Sequence, residues 1–291
     1  MIMNKLDLEY KIIGKGKTVI VIETGIGGSF YNWYSFVKEI KEDFTVVLYH
    51  RAGYGKSQTS NNPRTTRNIA EELNSLLNKI RIKEKFILMG HSFGGLCVQQ
   101  YAKMYPNKLK SIILIDSTSY NFKQLYMLDT PVLSSHIEIN KRVEWDIDFS
   151  KKSKDELKNE NENRISEFRK RIPDIEMNDI EEFFTSPTLY KTTAEELKNW
   201  DVDSKDIRSI SSFPNIPLTV IARDNKIAEK YWVNCNIPEK EATLYEAEWR
   251  KLQIELSKLS NKGKFIIAEN SGHEIYLDRP DTIIQYLKTL I

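Results

Sequence analysis

Phe86-Ile87-Leu88-Met89-Gly90-His91-Ser92-Phe93-Gly94-Gly95 is the stretch on which the reading of this chain turns. An apolar, β-forming run enters it, and a helical pattern from Leu96 to Tyr105 leaves it. Gly90-His91-Ser92-Phe93-Gly94 is a Gly-x-Ser-x-Gly pattern, which in a strand-turn-helix context lifts a serine hydroxyl out of the backbone. Gly90 and Gly94 permit close packing around such a turn. The helix amino terminus sets the N–H of Phe93 beside any oxyanion that develops on a carbonyl under attack by Ser92.

Outward from this turn, short apolar runs alternate with helical patterns. Residues 18–23 (TVIVIE), 44–49 (FTVVLY), 86–89 (FILM), 111–115 (SIILI), 218–222 (LTVIA) and 265–268 (FIIA) are near-continuous apolar strands, the pattern of strands buried on both faces. Between them lie stripes such as Ile69, Leu73, Leu76, Leu77 and Ile80, with Thr65 or Thr66 as the cap. The fold class is therefore α/β, a mostly parallel central sheet covered by helices. Residues 6–14, ahead of Gly14-Lys15-Gly16-Lys17, predict an antiparallel hairpin at one sheet edge. Residues 119–213 carry no convincing core strand but enough Phe, Tyr, Leu and Trp to pack on something. They predict a helical cap inserted into a core made of residues 1–118 and 214–291. The charged run at 151–171 within it reads as a solvated helix face.

A nucleophilic serine needs a base. The chain has four histidines, His50, His91, His136 and His273. His273 lies in Asn270-Ser271-Gly272-His273-Glu274, directly after the last strand and before a closing helix from Pro280, and such strand ends are where parallel sheets build their sites. It is the predicted general base. His91 adjoins the serine on a turn that points its ring elsewhere, and His50 and His136 read as ordinary loop or cap residues.

Composition narrows the function classes. In 291 residues, 43 basic and 41 acidic side chains leave a formal charge of +2, with no concentrated basic face for nucleic acid. No apolar run approaches the roughly 20 residues of a membrane span, and the first residues offer no secretory signal. The two cysteines, Cys97 and Cys235, exclude a disulfide framework, so a cytoplasmic location is expected. They form no metal-ligand pair, no metal-binding histidine motif is present, and no cofactor is called for. Gly53-Tyr54-Gly55-Lys56-Ser57 looks like the tail of a phosphate loop, but His50 stands where that motif needs its first glycine.

Taken in order along the chain, these motifs resemble the α/β-hydrolase fold superfamily everywhere except the cap. Thr24-Gly25-Ile26-Gly27-Gly28-Ser29 stands where the family keeps its oxyanion loop, Arg51-Ala52-Gly53-Tyr54-Gly55-Lys56-Ser57 follows the next strand, and Ser271-Gly272-His273 closes the series. The resemblance implies the N–H of Ile26 as second oxyanion donor. The family more often has His-Gly where Thr24-Gly25 stands, a departure that a backbone donor tolerates. For the triad acid it leaves two candidates. Asp116 ends the run 111–115, where some members carry their acid. Asp224 follows the run 218–222, but on the family's Gly-x-x-Asp pattern Ala222 takes the glycine place and the acid slot falls on Asn225.

The expected activity is a serine hydrolase of carboxylesterase type, cleaving a small ester, thioester or amide through Ser92, His273 and an aspartate, with an acyl-enzyme intermediate. Its partner is a small-molecule substrate with an apolar acyl or alkyl group, matched to the aromatic residues of the cap. Gly25, Trp33, His91 and Tyr126 are assigned to the pocket wall, with core packing as the alternative for Trp33 and His91. A ligand sensor on the same fold, carbon–carbon bond hydrolysis and perhydrolysis are the competing readings.

Overall fold

The computed structural model describes residues 6–171, 177–210 and 212–291. Seven strands form one sheet: β1 (Tyr10–Gly14), β2 (Thr18–Glu23), β3 (Phe44–Tyr49), β4 (Phe86–His91), β5 (Leu109–Ile115), β6 (Leu218–Arg223) and β7 (Gly263–Ala268), in the order β1-β3-β2-β4-β5-β6-β7. All neighbours are parallel except β1 and β3. Alternate side chains feed the two faces. Ile20, Ile22, Ile87, Met89, Ile113 and Ile115 enter one core, and Val21, Leu88, Ile112 and Leu114 enter the other. Burial on both sides is why these strands read as unbroken apolar runs.

The predicted edge hairpin is corrected. β1 pairs antiparallel with β3, from Tyr10 opposite Tyr49 to Gly14 opposite Thr45, rather than with β2. Both ladder edges of the apolar strand β2 are taken by parallel partners, β3 and β4. The mostly exposed strand β1 is left to cover the outer edge of β3.

The helices between strands follow the apolar stripes. α1 (Tyr34–Ile40) precedes β3, and α2 (Thr66–Lys79) precedes β4. In α2, Thr65 caps the helix by accepting from the N–H of Asn68, and Ile69, Leu73, Leu76 and Leu77 are buried. α3 (Phe93–Met104) follows β4 directly. Between β5 and β6 the described residues form a 3-10 turn (Phe122–Met127) and six helices: α4 (Pro131–His136), α5 (Ile139–Phe149), α6 (Lys154–Arg171), α7 (Met177–Phe184), α8 (Pro187–Lys198) and α9 (Trp200–Ser209). A second helical excursion, α10 (Asn225–Asn234) and α11 (Glu239–Ser257), separates β6 from β7, and α12 (Ile275–Asp278) and α13 (Pro280–Lys288) close the chain. Among the described residues, no helix is long and apolar enough to cross a membrane.

Candidate active site

Ser92 joins β4 to α3 with φ 53° and ψ −125°, a left-handed conformation that costs a non-glycine residue about 1–3 kcal/mol. The fold holds it there from both sides. Its N–H donates to the Ile115 carbonyl, and its own carbonyl accepts from Gly95 and Thr118. The flanking glycines are sterically required. A Cβ on Gly90 would meet the Gly94 carbonyl oxygen at 2.6 Å, and one on Gly94 would meet the Glu23 carbonyl oxygen at 2.3 Å. The turn therefore packs against the ends of β2 and α3 with no room for side chains.

His273 sits on the loop after β7, and its Nδ1 lies 2.5 Å from Asp116 Oδ2. Asp116, at the end of β5, is fully buried and carries a positive φ of 39°. Trp249 Nε1 donates to Oδ1 at 2.8 Å, and Arg223 Nη1 donates to Oδ2 at 2.8 Å. Burial pushes this carboxyl up, but the Arg223 guanidinium and the hydrogen bond from His273 outweigh it and hold the group well below the usual carboxylate range. Arg223 is in turn held by Glu246 through Nε and Nη2. The Asp224 carboxylate does not reach the imidazole. It caps α10 at the Lys226 N–H and accepts from the Asn270 N–H, tying down the His273 loop.

Ser92 and His273 open into one cleft of about 840 Å³. One wall comes from the segment between β5 and β6, with Phe122, Leu125, Tyr126, Ile139, Leu197 and Trp200. The other comes from α10 and α11, with Ile227, Tyr231, Trp232, Tyr245 and Trp249. Sequence reading did not single out this second wall, although Tyr231-Trp232 and Tyr245…Trp249 at helical spacing were its signal. His136, read as a cap residue, lines the cleft as well.

Of the four residues assigned to the pocket, Tyr126 lies in the wall of this cleft, whereas Gly25, Trp33 and His91 do not. Trp33 stacks on Tyr276 at 4.0 Å between ring centres and is buried. His91 is packed beside it and donates from Nε2 to the His273 carbonyl at 3.0 Å. Burial, with His273 adding to it, lowers its pKa to about 3, so this imidazole stays neutral and anchors the His273 backbone. Gly25 faces the His91 ring, and a Cβ there would lie 3.1 Å from its Nδ1. His50 lies in the loop directly after β3, as read, but is fully buried there, clamped between Glu9 at Nδ1 and Ser29 at Nε2.

Ile26 is half-buried in a cluster that includes Phe93 and Trp200, and the Phe93 ring stacks on Trp200 at 5.8 Å. Within the described residues, the amides of Ile26 and Phe93 donate no hydrogen bond, whereas Gly27 and Gly28 beside them do. No group of three or more histidine, cysteine, aspartate or glutamate side chains converges as a metal-ligand set among the described residues.

Comparison with known proteins points the same way as the geometry. A family model described as the alpha/beta hydrolase fold matches residues 18–233. An uncharacterized protein of Bacillus subtilis (strain 168), YqjL, is 23% identical over 270 residues, covering 93% of this chain and 82% of its own length. Among solved structures, a thermophilic esterase from Thermogutta terrifontis superimposes with a TM-score of 0.63 at 18% identity, covering 100% of this chain and 96% of the other. A putative epoxide hydrolase mutant from Pseudomonas aeruginosa does so with a TM-score of 0.67 at 14% identity, over 99% and 96%.

Proposed function

The chain belongs to the α/β hydrolase fold family, and from that premise we propose that it is a serine hydrolase of carboxylesterase type acting on small esters, thioesters or amides. The observation that carries this is the 2.5 Å contact between His273 Nδ1 and Asp116 Oδ2, on a histidine that shares its cleft with Ser92. With Nδ1–H given to the carboxylate, Nε2 is left as the base. The imidazole takes the Ser92 proton as the oxygen attacks the carbonyl carbon, then returns it to the leaving group as the tetrahedral adduct collapses. Water repeats the sequence on the acyl-enzyme. The N–H groups of Ile26 and Phe93 hold the oxyanion, and an oxyanion donor is typically worth about 3 kcal/mol of barrier.

Residues 119–213 serve as the cap in this reading, and the apolar walls favour an acyl or alkyl chain. Asp116 is the triad acid, and Asp224 is a loop anchor. The nucleophile, the acid and the pocket are tested together by hydrolysis of p-nitrophenyl esters from acetate to decanoate. Ser92→Ala is expected to lower turnover by at least about 10³-fold, and Asp116→Asn by at least about 10²-fold. Asp224→Asn keeps one of the two side-chain acceptors, enough for the α10 cap, and should remain within about threefold of the parent. Turnover that survives Ser92→Ala would sink the mechanism, and loss only in Asp224→Asn would move the acid role to that residue.

A further inference from the structure

Gly53-Tyr54-Gly55 has a place in the molecule that its likeness to a phosphate loop does not explain. Arg51, two residues earlier, is almost wholly buried, and its guanidinium is spent on three elements at once. Nη1 donates to Glu23 at 2.8 Å and to the Thr24 carbonyl at 2.7 Å, and Nη2 donates to the Gly25 carbonyl at 3.0 Å. Nε and Nη2 also grip the two oxygens of Glu196 on α8, at 2.8 and 3.0 Å. The Tyr54 hydroxyl donates to Glu196 Oε2 at 2.6 Å and accepts the Gly27 N–H at 2.9 Å.

The peptide units on either side of Ile26 are thus fixed by one buried cluster: the Gly25 carbonyl by Arg51, and the Gly27 N–H by Tyr54. Both anchors are themselves oriented by a carboxylate from the segment between β5 and β6. Gly27 has φ 60°, and a glycine, with no Cβ to restrict its backbone, gives the loop no rigidity of its own. We propose that Arg51, Tyr54 and Glu196 are positioning residues that hold the Ile26 N–H in its oxyanion-binding place, so that the oxyanion hole is set only when α8 is seated on the core. This rests on the serine-hydrolase reading for its consequence in catalysis, while the clamp itself is a matter of structure.

Two variants test it, Glu196→Gln and the gentler Tyr54→Phe, which keeps the ring and removes only the hydroxyl. Hydrogen exchange of the 24–28 peptide is read beside kcat, KM and inhibition by an alkyl trifluoromethyl ketone, whose Ser92 adduct carries an oxyanion. In Tyr54→Phe the exchange of this segment should speed up by at least about tenfold, because Gly27 loses its acceptor. Values of kcat should fall about tenfold in Tyr54→Phe and about 30-fold in Glu196→Gln, with KM within about twofold and ketone affinity falling in step with kcat. Unchanged exchange of the segment, or a rise in KM alone, would overturn the proposal. If the segment loosens as expected but the parent protein neither turns over esters nor binds the ketone, the clamp stands and the hydrolase reading falls. Should Glu196→Gln fail to fold, Tyr54→Phe decides alone.

Discussion

Among the described residues, the Trp249 indole is the donor to the Asp116 carboxylate that comes from neither Arg223, which gives its guanidinium and its backbone N–H, nor the His273 imidazole. Its contribution is separable because the ring also walls the cleft and packs against His273 at 6.2 Å. Trp249→Phe keeps an aromatic wall and deletes the hydrogen bond. A bond to a charged acceptor is worth about 1.5–3 kcal/mol, so kcat/KM should fall by about tenfold or somewhat more as the carboxylate loses its orientation. Steady-state kinetics on a short-chain ester check this, and an unchanged kcat/KM would show that Arg223 alone fixes Asp116. The same surroundings explain what the sequence left open at this scale. Ser92 and His273 were legible because local chemistry marks them, a turn flanked by glycines and a loop at a strand end. Asp116 and Asp224 both stand at strand ends, and the choice depends on where Arg223, Glu246 and Trp249 project, which one-dimensional spacing does not encode.

Among the elements, the joint between α9 and α2 carries an unusual charge. Asp203 Oδ1 accepts the Thr66 N–H at 2.8 Å, across 137 residues of sequence, while Oδ2 is buried with no hydrogen-bond partner among the described residues. Burial raises this carboxyl from 3.8 to about 7, against the opposing pull of its hydrogen bonds to Thr66. The folded chain therefore holds a proton there that the unfolded chain has released. Between about pH 4 and 7 the folded state binds more protons, so stability declines as pH rises through that window, and the whole cost is present above it. Asp203→Asn keeps an acceptor for Thr66 and abolishes the charge. It should stabilise the protein by about 2 kcal/mol at pH 8 and by less than about 0.5 kcal/mol at pH 4. Urea midpoints at the two pH values measure the difference, and an equal effect at both would remove the charge from the account. Strands and interstrand helices were readable because period and composition act locally, as the α2 stripe shows. The β1–β3 pairing was not, because Tyr10–Gly14 reads the same whichever neighbour it joins.

Across the whole molecule, the helices between β5 and β6 are fastened to the core unevenly. α8 buries Leu189, Tyr190, Thr192, Thr193, Ala194, Glu196 and Leu197, and its Glu196 closes the Arg51 cluster 145 residues away. Nothing in the local sequence marks that glutamate, so the link became visible only with the fold in hand. α6 is attached more lightly, burying Leu157, Asn161 and Ile165, while its Lys158–Glu181 and Lys152–Glu160 pairs are partly exposed to solvent. Such exposed pairs contribute about 0–1 kcal/mol each, whereas removing one member of a buried pair costs about 3–5 kcal/mol. The two helices should therefore open by different routes. Native-state hydrogen exchange in low denaturant is expected to find α8 amides exchanging only with global unfolding, alongside β4 and β5. The α6 amides should exchange through local opening at a free energy at least about 2 kcal/mol lower. If α8 exchanges as early as α6, the buried cluster does not bind this segment to the sheet, and the coupling between α8 and the loop at residues 24–28 loses its mechanical basis.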